Sequence, residues 1–412
     1  MPSILFINRV YPPADGATGR VLEYVAEGFA AKGWKVSVLV TSDSRSGISG
    51  NCSEIRNGVL VHRIDVSAFS KGNIVKRAFG YAVMIPKLCF WALKTPKSDV
   101  VVTMTDPPML LIVGVLMRFF KRSHLIHWAH DLYPEVAEAL GLLAQGGMTA
   151  RIFRFISSQS MRCHDLVVVP GRCMKERLII RGVPSSLLTV IPNTGVERRI
   201  IPTPRLPNVF RELNGLSDSF IAAYSGNMGL AHDFDTIIGA ALIIQEMGMK
   251  DVRFLFIGGG PRANSIREGV AKKGLKNVSM IPSQPEENLS ASLGAADIHF
   301  VTMRESMSGL VVPSKLYGVM AASRPCIFIG PSNSEAALSI LESESGCVIA
   351  TGDAEMLARK LLEFRDSSSL REQNGTRGSA WLKGENGLDL FLESASRILL
   401  KTTGNKQTEV KL

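Results

Sequence analysis

The feature that most limits what this chain can fold into is an alternation. Short apolar runs at residues 3–8, 35–40, 124–128, 165–169 and 187–191 are separated by loops and by segments with helical spacing, as at 22–31 and 172–181. Parallel strands need a crossover of a dozen or more residues, usually a helix, so this rhythm opens a doubly wound parallel sheet. The same rhythm resumes at 220–224, 253–257, 278–281, 298–303, 325–329 and 347–349, after the three-proline stretch "RRIIPTPRLPN", which reads as a linker. Single hydrophobic cores stop growing at about 250–300 residues. A chain of 412 residues with 46% hydrophobic content is therefore expected to form two α/β domains, 1–200 and 201–380. Near the end, Leu388, Phe391, Leu392, Ala395, Ile398 and Leu399 fall on one helical face, which predicts a closing helix over 381–402. Residues 403–412 lack an apolar pattern and are expected to fray. There are no internal repeats or low-complexity tracts.

Charge is distributed unevenly. Residues 1–200 hold 25 Lys and Arg against 14 Asp and Glu, so the net charge of +10 comes entirely from that half. The excess is sharpest over 71–122, with nine basic and two acidic residues. An anionic partner, such as a membrane surface or a phosphorylated acceptor, fits that bias, and so does a solvated basic face. Within it, residues 73–94 mix Lys and Arg among Phe79, Tyr81, Phe90 and Trp91, as in helices lying in a membrane interface, though core packing is the alternative. The segment 107–122 reads as a buried helix. No stretch reaches the roughly 18 uncharged apolar residues of a spanning helix. The start "MPSILFINRVYPP" has no signal-peptide pattern, and the six cysteines show no metal-ligating spacing, so a cytoplasmic chain with reduced thiols is expected.

Candidate functional residues lie where strands run into loops. The stretch 297–330 reads strand, loop, helix, strand, and its "GLVVPSK" places Pro313 and Ser314 at a helix start. Lys315 would project there beside free backbone N–H groups and the positive end of the helix dipole, a place suited to phosphate. "SGNMG" (Ser225, Asn227, Gly229) and "GGGP" are Gly-rich turns at strand ends, where such sheets bind ligands. His130 and Asp131 follow another strand end, and a structural pair is the alternative reading. The loop "RVYPPADGATGR" lacks a dinucleotide fingerprint, and its Gly16 either admits a ligand or only makes a turn.

Taken in order, "YPPADGATGR", "HDLYPEVAEALG", "IPNTGVE", "YSGNMGLAHDFDT", "FLFIGGGP" and "GLVVPSKLYGVMAASRP" resemble the GT-B glycosyltransferases of family 4. Within that family the chain is similar to the bacterial group acting in surface-polysaccharide assembly, fucosamine-transferase-like chains among them. The resemblance spans about 380 residues. It implies two Rossmann-like domains facing a cleft. It also implies sugar transfer from a nucleotide diphosphate donor with retained configuration and without metal or other cofactor. On that reading Lys315, with Ser314 and Arg304, stabilises the departing diphosphate, helped by Ser225, Asn227 and Gly229. Glu305 contacts sugar or ribose hydroxyls, and His130 and Asp131 polarise or deprotonate the acceptor hydroxyl. The implied partners are a nucleotide-sugar donor, probed first as a UDP-sugar, a polyprenyl-diphosphate-linked acceptor and the inner membrane surface. Nucleic acid is not among them.

Two departures stand out. The family's second Glu of a pair falls on Gly318, and its usual basic pair falls on Asn227 and His232. Both shift charge onto Lys315. "HDFDT" contains a DxD, but Asp233 is placed to cap a helix rather than hold a metal. A non-hydrolysing nucleotide-sugar epimerase and a non-catalytic subunit of a glycosyltransferase complex remain as competing readings at this point.

Overall fold

The computed structural model describes residues 1–14, 16–42, 50–66, 74–194, 196–384 and 387–403. The chain divides into two compact units, Met1–Val196 joined by the segment from Asn386 onward, and Glu197–Glu385. In the first, eight strands form one sheet: β1 (Ser3–Ile7), β2 (Lys35–Thr41), β3 (Cys52–Arg56), β4 (Val59–Ile64), β5 (Val100–Thr103), β6 (His124–Trp128), β7 (Leu166–Val169) and β8 (Leu188–Val190). Their order is β3-β4-β2-β1-β5-β6-β7-β8. Pairing is parallel throughout except for β3, an antiparallel edge on β4. In the second, β9 (Phe220–Ser225), β10 (Val252–Ile257), β11 (Val278–Ile281), β12 (Ile298–Thr302), β13 (Cys326–Ile329) and β14 (Gly346–Ile349) form a parallel sheet. Its order is β11-β10-β9-β12-β13-β14.

Strand order reverses direction at β1/β5 in the first sheet and at β9/β12 in the second. Open α/β sheets bind ligands beyond the strand C-termini at such switch points. The central strands are apolar on both faces, which suits a sheet covered by helices on both sides. β5, β7, β12 and β13 are buried at every residue.

The C-terminal helix, Gly387–Thr403, belongs to the first unit. Its predicted face is the buried one: Phe391, Leu392 and Ala395 enter the core beside Phe6, Phe29 and Trp128, and Leu388, Ile398 and Leu399 pack against it. Gly28 gives this contact room, because a Cβ there would lie 2.5 Å from Leu388 Cδ2 and the leucine would have to shift. The tail expected to fray lies, beyond Thr403, outside the described residues.

Residues 74–94 form one helix, Ile74–Lys94, with Pro86 inside it. Met84, Leu88 and Ala92, four apart, face the core of the first unit. The opposite face exposes Phe90, with Lys94 Nζ 4.3 Å above its ring and 5.4 Å above Trp91. Lys71 and the side chains of Lys76, Arg77 and Phe79, part of the expected basic and aromatic mixture, lie outside the described residues. Helix Leu111–Lys121 buries Leu111, Val113, Gly114 and Met117 as expected, but its last turn exposes Phe119 and Phe120. Among the described residues no helix is long and apolar enough to cross a membrane.

Candidate active site

The second switch point gathers most of the predicted residues. β9 ends at Ser225, and the loop after it is zipped to the "GGGP" loop by Gly226 N–H to Ile257 O (2.8 Å), Met228 N–H to Gly259 O (2.7 Å) and Arg262 N–H to Met228 O (3.0 Å). The contact is close enough to require glycine. A Cβ at Gly258 would stand 2.3 Å from Gly226 O, and one at Gly260 would stand 2.4 Å from Asn227 Oδ1. The same loop then crosses to β12, where Arg304 N–H donates to Ala231 O (2.9 Å) and Asp233 N–H donates to Thr302 Oγ1 (3.0 Å).

Lys315 opens the helix Lys315–Ala321, and its side chain turns back onto this loop. Its Nζ donates to the Tyr224 hydroxyl (2.7 Å), Asn227 O (3.0 Å) and His232 Nε2 (3.1 Å). Three acceptors thus match the three protons of the ammonium. His232 Nδ1 faces Thr302 O at 2.6 Å, so that nitrogen carries the ring proton and Nε2 offers Lys315 a lone pair. Burial first, and then the charge of Lys315, lowers the His232 pKa to about 4, so the ring is neutral near pH 7. Burial pulls the Lys315 ammonium down to about 8 and pushes the Tyr224 hydroxyl well above its ordinary value. The departure expected at His232 therefore becomes specific, since its ring is an acceptor that aims the cation, whereas Asn227 contributes only its backbone carbonyl.

One expectation needs correction. The helix start beside Lys315 does not present free amides throughout, because Leu316 N–H turns back to Pro313 O (3.3 Å) and Tyr317 N–H to Ser314 O (3.2 Å). Ser314 sits at the N-cap without a side-chain capping bond. A first turn closed by such i→i+3 bonds spends the N–H groups that would have faced an anion. Glu305 is exposed, and its Oε1 accepts from Thr351 Oγ1 at 3.4 Å, away from the Lys315 cluster's hydrogen bonds. A Cβ at Gly318 would meet Ile200 Cδ1 at 3.5 Å and Glu197 Cγ at 4.0 Å, ordinary contacts. Asp233 caps as expected, one residue further upstream of its helix: its Oδ2 accepts from Thr236 N–H (3.3 Å) and from the Thr236 hydroxyl (2.5 Å).

Gly226 supports Lys315 directly. It sits at φ +125°, and a Cβ there would lie 2.6 Å from Lys315 Cε. Gly226→Ala is expected to destabilise the second unit by about 1–3 kcal/mol, through strain and overpacking. It should also dislodge Lys315. Denaturant titration reads the first effect, and an unchanged midpoint would refute it.

The first unit holds the remaining candidates around its own switch point. Arg9 and Asp106, beyond β1 and β5, form a bidentate pair at 2.7 and 2.8 Å. Beyond β6, His130 is buried, its ring 4.8 Å from that of Trp128, and its Nδ1 lies 3.0 Å from Asn193 Nδ2. Burial lowers the His130 pKa to about 3. Burial, and then the charge of Asp106, raises Asp131 to about 6. Gly16 is explained by packing, since a Cβ there would lie 2.8 Å from Val10 Cγ2. Sequence reading missed Tyr224 and Asn193. Tyr224 hides inside an apolar strand, and Asn193 lies in "PNTGVE", which reads as a plain turn.

Residues 16–194 match the model for the glycosyl transferase 4-like domain, and 208–381 match glycosyl transferases group 1. WbjE of Pseudomonas aeruginosa, named as a glycosyltransferase, is 27% identical over 276 residues, 66% of this chain and 68% of that one. WcaI of Escherichia coli K12, named as a colanic acid biosynthesis glycosyl transferase, is 24% identical over 49% of this chain and 50% of its own length. Among solved structures, sucrose-phosphate synthase of Thermosynechococcus elongatus superposes with a TM-score of 0.74 at 17% identity, over 97% of this chain and all of that one. HepE of Anabaena, solved with UDP, gives 0.71 at 13% identity over 97% of this chain and all of that one. At such identities these two likenesses speak for the fold. Two glycosyl transferase domains, one per unit and in order, place the chain in the GT-B glycosyltransferases of family 4.

Proposed function

We propose that this glycosyltransferase moves a sugar from a nucleotide diphosphate donor, a UDP-sugar as first choice, onto a polyprenyl-diphosphate-linked glycan in surface-polysaccharide assembly. The reaction retains anomeric configuration and uses no metal. The observation that carries the donor assignment is the cluster of Lys315, Tyr224, Asn227 and His232 at the β9/β12 switch point. A fixed ammonium there stabilises through its charge the diphosphate as it leaves, and it can donate an N–H to a phosphate oxygen by releasing one of its three acceptors. HepE, with the same fold, is solved with UDP and with UDP-glucose, and WcaI's name ties it to colanic acid biosynthesis. Both support this reading.

His130 and Asp131 serve the acceptor side. The lipid-linked acceptor and a peripheral place on the inner membrane face are supported by the basic excess over 71–122 and by exposed Phe90, Phe119 and Phe120. Aromatic and cationic side chains side by side suit a headgroup layer. Transfer is favoured over epimerisation by the relatives reported above, WbjE and WcaI, both named as glycosyltransferases. Incubating the purified chain with a UDP-sugar, with and without membrane-extracted lipid acceptor, tests the proposal. Glycolipid product that appears only with acceptor supports it, and an epimerised nucleotide sugar formed without acceptor overturns it.

The lowered Lys315 pKa gives a pH signature. The ammonium is present below about 8 and is lost as pH rises through that value. Affinity for UDP is therefore expected to fall between about pH 7 and about pH 9, well below an ordinary lysine's titration near 10.4. Lys315→Arg stays charged over that range and should flatten the fall. Calorimetric titration at several pH values checks both.

A further inference from the structure

We propose that Asn193 is a positioning residue that locks His130 with its ring proton on Nε2, so that His130 meets the substrate as a hydrogen-bond donor. The inference rests on the reading that His130 faces substrate, and it goes beyond that reading by fixing the direction of the proton. Both residues belong to the first unit.

Asn193 Nδ2 lies 3.0 Å from His130 Nδ1. An amide NH2 donates and cannot accept, so with the amide in this orientation Nδ1 is the lone-pair nitrogen, while the buried Asn193 Oδ1 has no hydrogen-bond partner among the described residues. The buried ring is neutral and has one proton, which therefore sits on Nε2. That nitrogen has no hydrogen-bond partner among the described residues, although His130 is only 8% exposed.

This pattern is the reverse of the other buried histidines. In His127, His164, His232 and His299 the engaged nitrogen faces a backbone carbonyl, of Thr103, Ser160, Thr302 and Leu293 respectively. Each must carry its proton on that side. Where the second nitrogen of these rings lacks a partner, as in His164 and His299, it is an idle lone pair. His130 instead leaves a buried N–H donor unsatisfied, which is a cost to the unliganded chain. A bound oxygen acceptor would recover that cost.

The ring is not free to turn and find another partner. Trp128 lies against it at 4.8 Å, and the His130 backbone N–H donates to Thr105 Oγ1 at 3.3 Å. The loop carrying Asn193 is held in turn: Gly387 N–H donates to Thr194 Oγ1 at 3.4 Å, and a Cβ at Gly387 would stand 2.4 Å from Pro192 O. The geometry favours polarising a substrate hydroxyl or phosphate oxygen over deprotonating one. Rotating the Asn193 amide by half a turn would put Oδ1 on Nδ1–H and make Nε2 a base, so the orientation of one amide decides the role.

Nitrogen-15 NMR of the full-length chain with labelled histidine tests this, with His130→Gln identifying the signal. The expected result is a protonated Nε2 and an unprotonated Nδ1. Asn193→Asp should then reverse the tautomer, because a carboxylate accepts from Nδ1–H. It should lower kcat roughly 10²-fold, while KM for the donor stays within about twofold, as expected for loss of a proton-positioning contact. Asn193→Ala should lower kcat too and leave the tautomer mixed. A protonated Nδ1 in the unsubstituted chain overturns the proposal whatever the variants do. So does an unchanged kcat in a folded Asn193→Asp with reversed tautomer. If Asn193→Asp fails to fold, the spectrum of the unsubstituted chain and the kcat of Asn193→Ala decide. If the chain transfers no sugar at all, the functional reading fails, and the tautomer measurement still judges the lock by itself.

Discussion

Lys315→Ala is expected to lower turnover by about 10²–10³-fold, the range seen when one preorganised donor to a developing charge is removed. The size is held to that range because a second cation, Arg304, lies near enough for its charge to act on His232 and can share the work. Lys315 is the cation at the centre of the loop network after β9, fixed by three acceptors from residues 83 to 91 positions away in sequence. His232 is kept neutral there by burial and by Lys315 itself. The helix that Lys315 opens closes its first turn on its own carbonyls, so backbone amides supply less of the anion's needs than a free helix start would. UDP binding should weaken in parallel, because the diphosphate is present in both ground and transition states. Lys315→Arg should recover only part of the loss: it restores charge, but a planar fork cannot reach the same three acceptors as an ammonium. Rates of UDP release with saturating acceptor, together with calorimetric UDP affinities, measure this. Turnover within threefold of the unsubstituted chain would remove Lys315 from the mechanism.

The uneven legibility of the fold has physical causes. The face of the last helix could be read because six apolar residues repeat at helical spacing over twelve positions. The apolar pattern marks no strand at β3, β4 or β5. β5 is only four residues long and sits between two longer apolar segments whose helical spacing dominates the region. β4 carries His62 and Arg63 inside a strand, and that makes sense only once its partners are known. Arg63, 1% exposed, pairs with Glu54 of β3 and donates to Tyr11 O and Pro12 O.

The site follows the same rule. Lys315, Ser225 and Asn227 stand out because local loop chemistry marks them. Tyr224, His232 and Asn193 acquire their roles from contacts between loops far apart in the chain, and no local pattern encodes those. The free-amide expectation at Ser314 failed for a local reason that sequence does not display, the tightening of a seven-residue helix into i→i+3 bonds at its start.

Phe391→Ala is expected to destabilise the first unit by about 3–5 kcal/mol, the cost of truncating a buried aromatic where the core cannot collapse fully. Phe391 is fully buried, with its ring 4.7 Å from Trp128, 5.9 Å from Phe29 and 6.5 Å from Phe6. These neighbours come from β6, the helix Ala17–Ala31 and β1, so a void at Phe391 opens among elements that are themselves fixed by the sheet. The second unit, Glu197–Glu385, has its own core. Denaturation followed by probes in each unit should therefore show one transition moved and the other nearly unmoved, as distant sites behave. Phe391→Leu, which keeps most of the volume, should cost much less. The consequence for function runs through Trp128, which touches Phe391 on one side and lies 4.8 Å from His130 on the other. Loss of the Phe391 ring should let that indole shift, so kcat should fall at temperatures where the unit is still folded. A first-unit transition moved by less than about 1 kcal/mol would mean that the helix is held elsewhere along its face. An unmoved kcat with a fully moved transition would separate the helix's structural role from any part in holding His130.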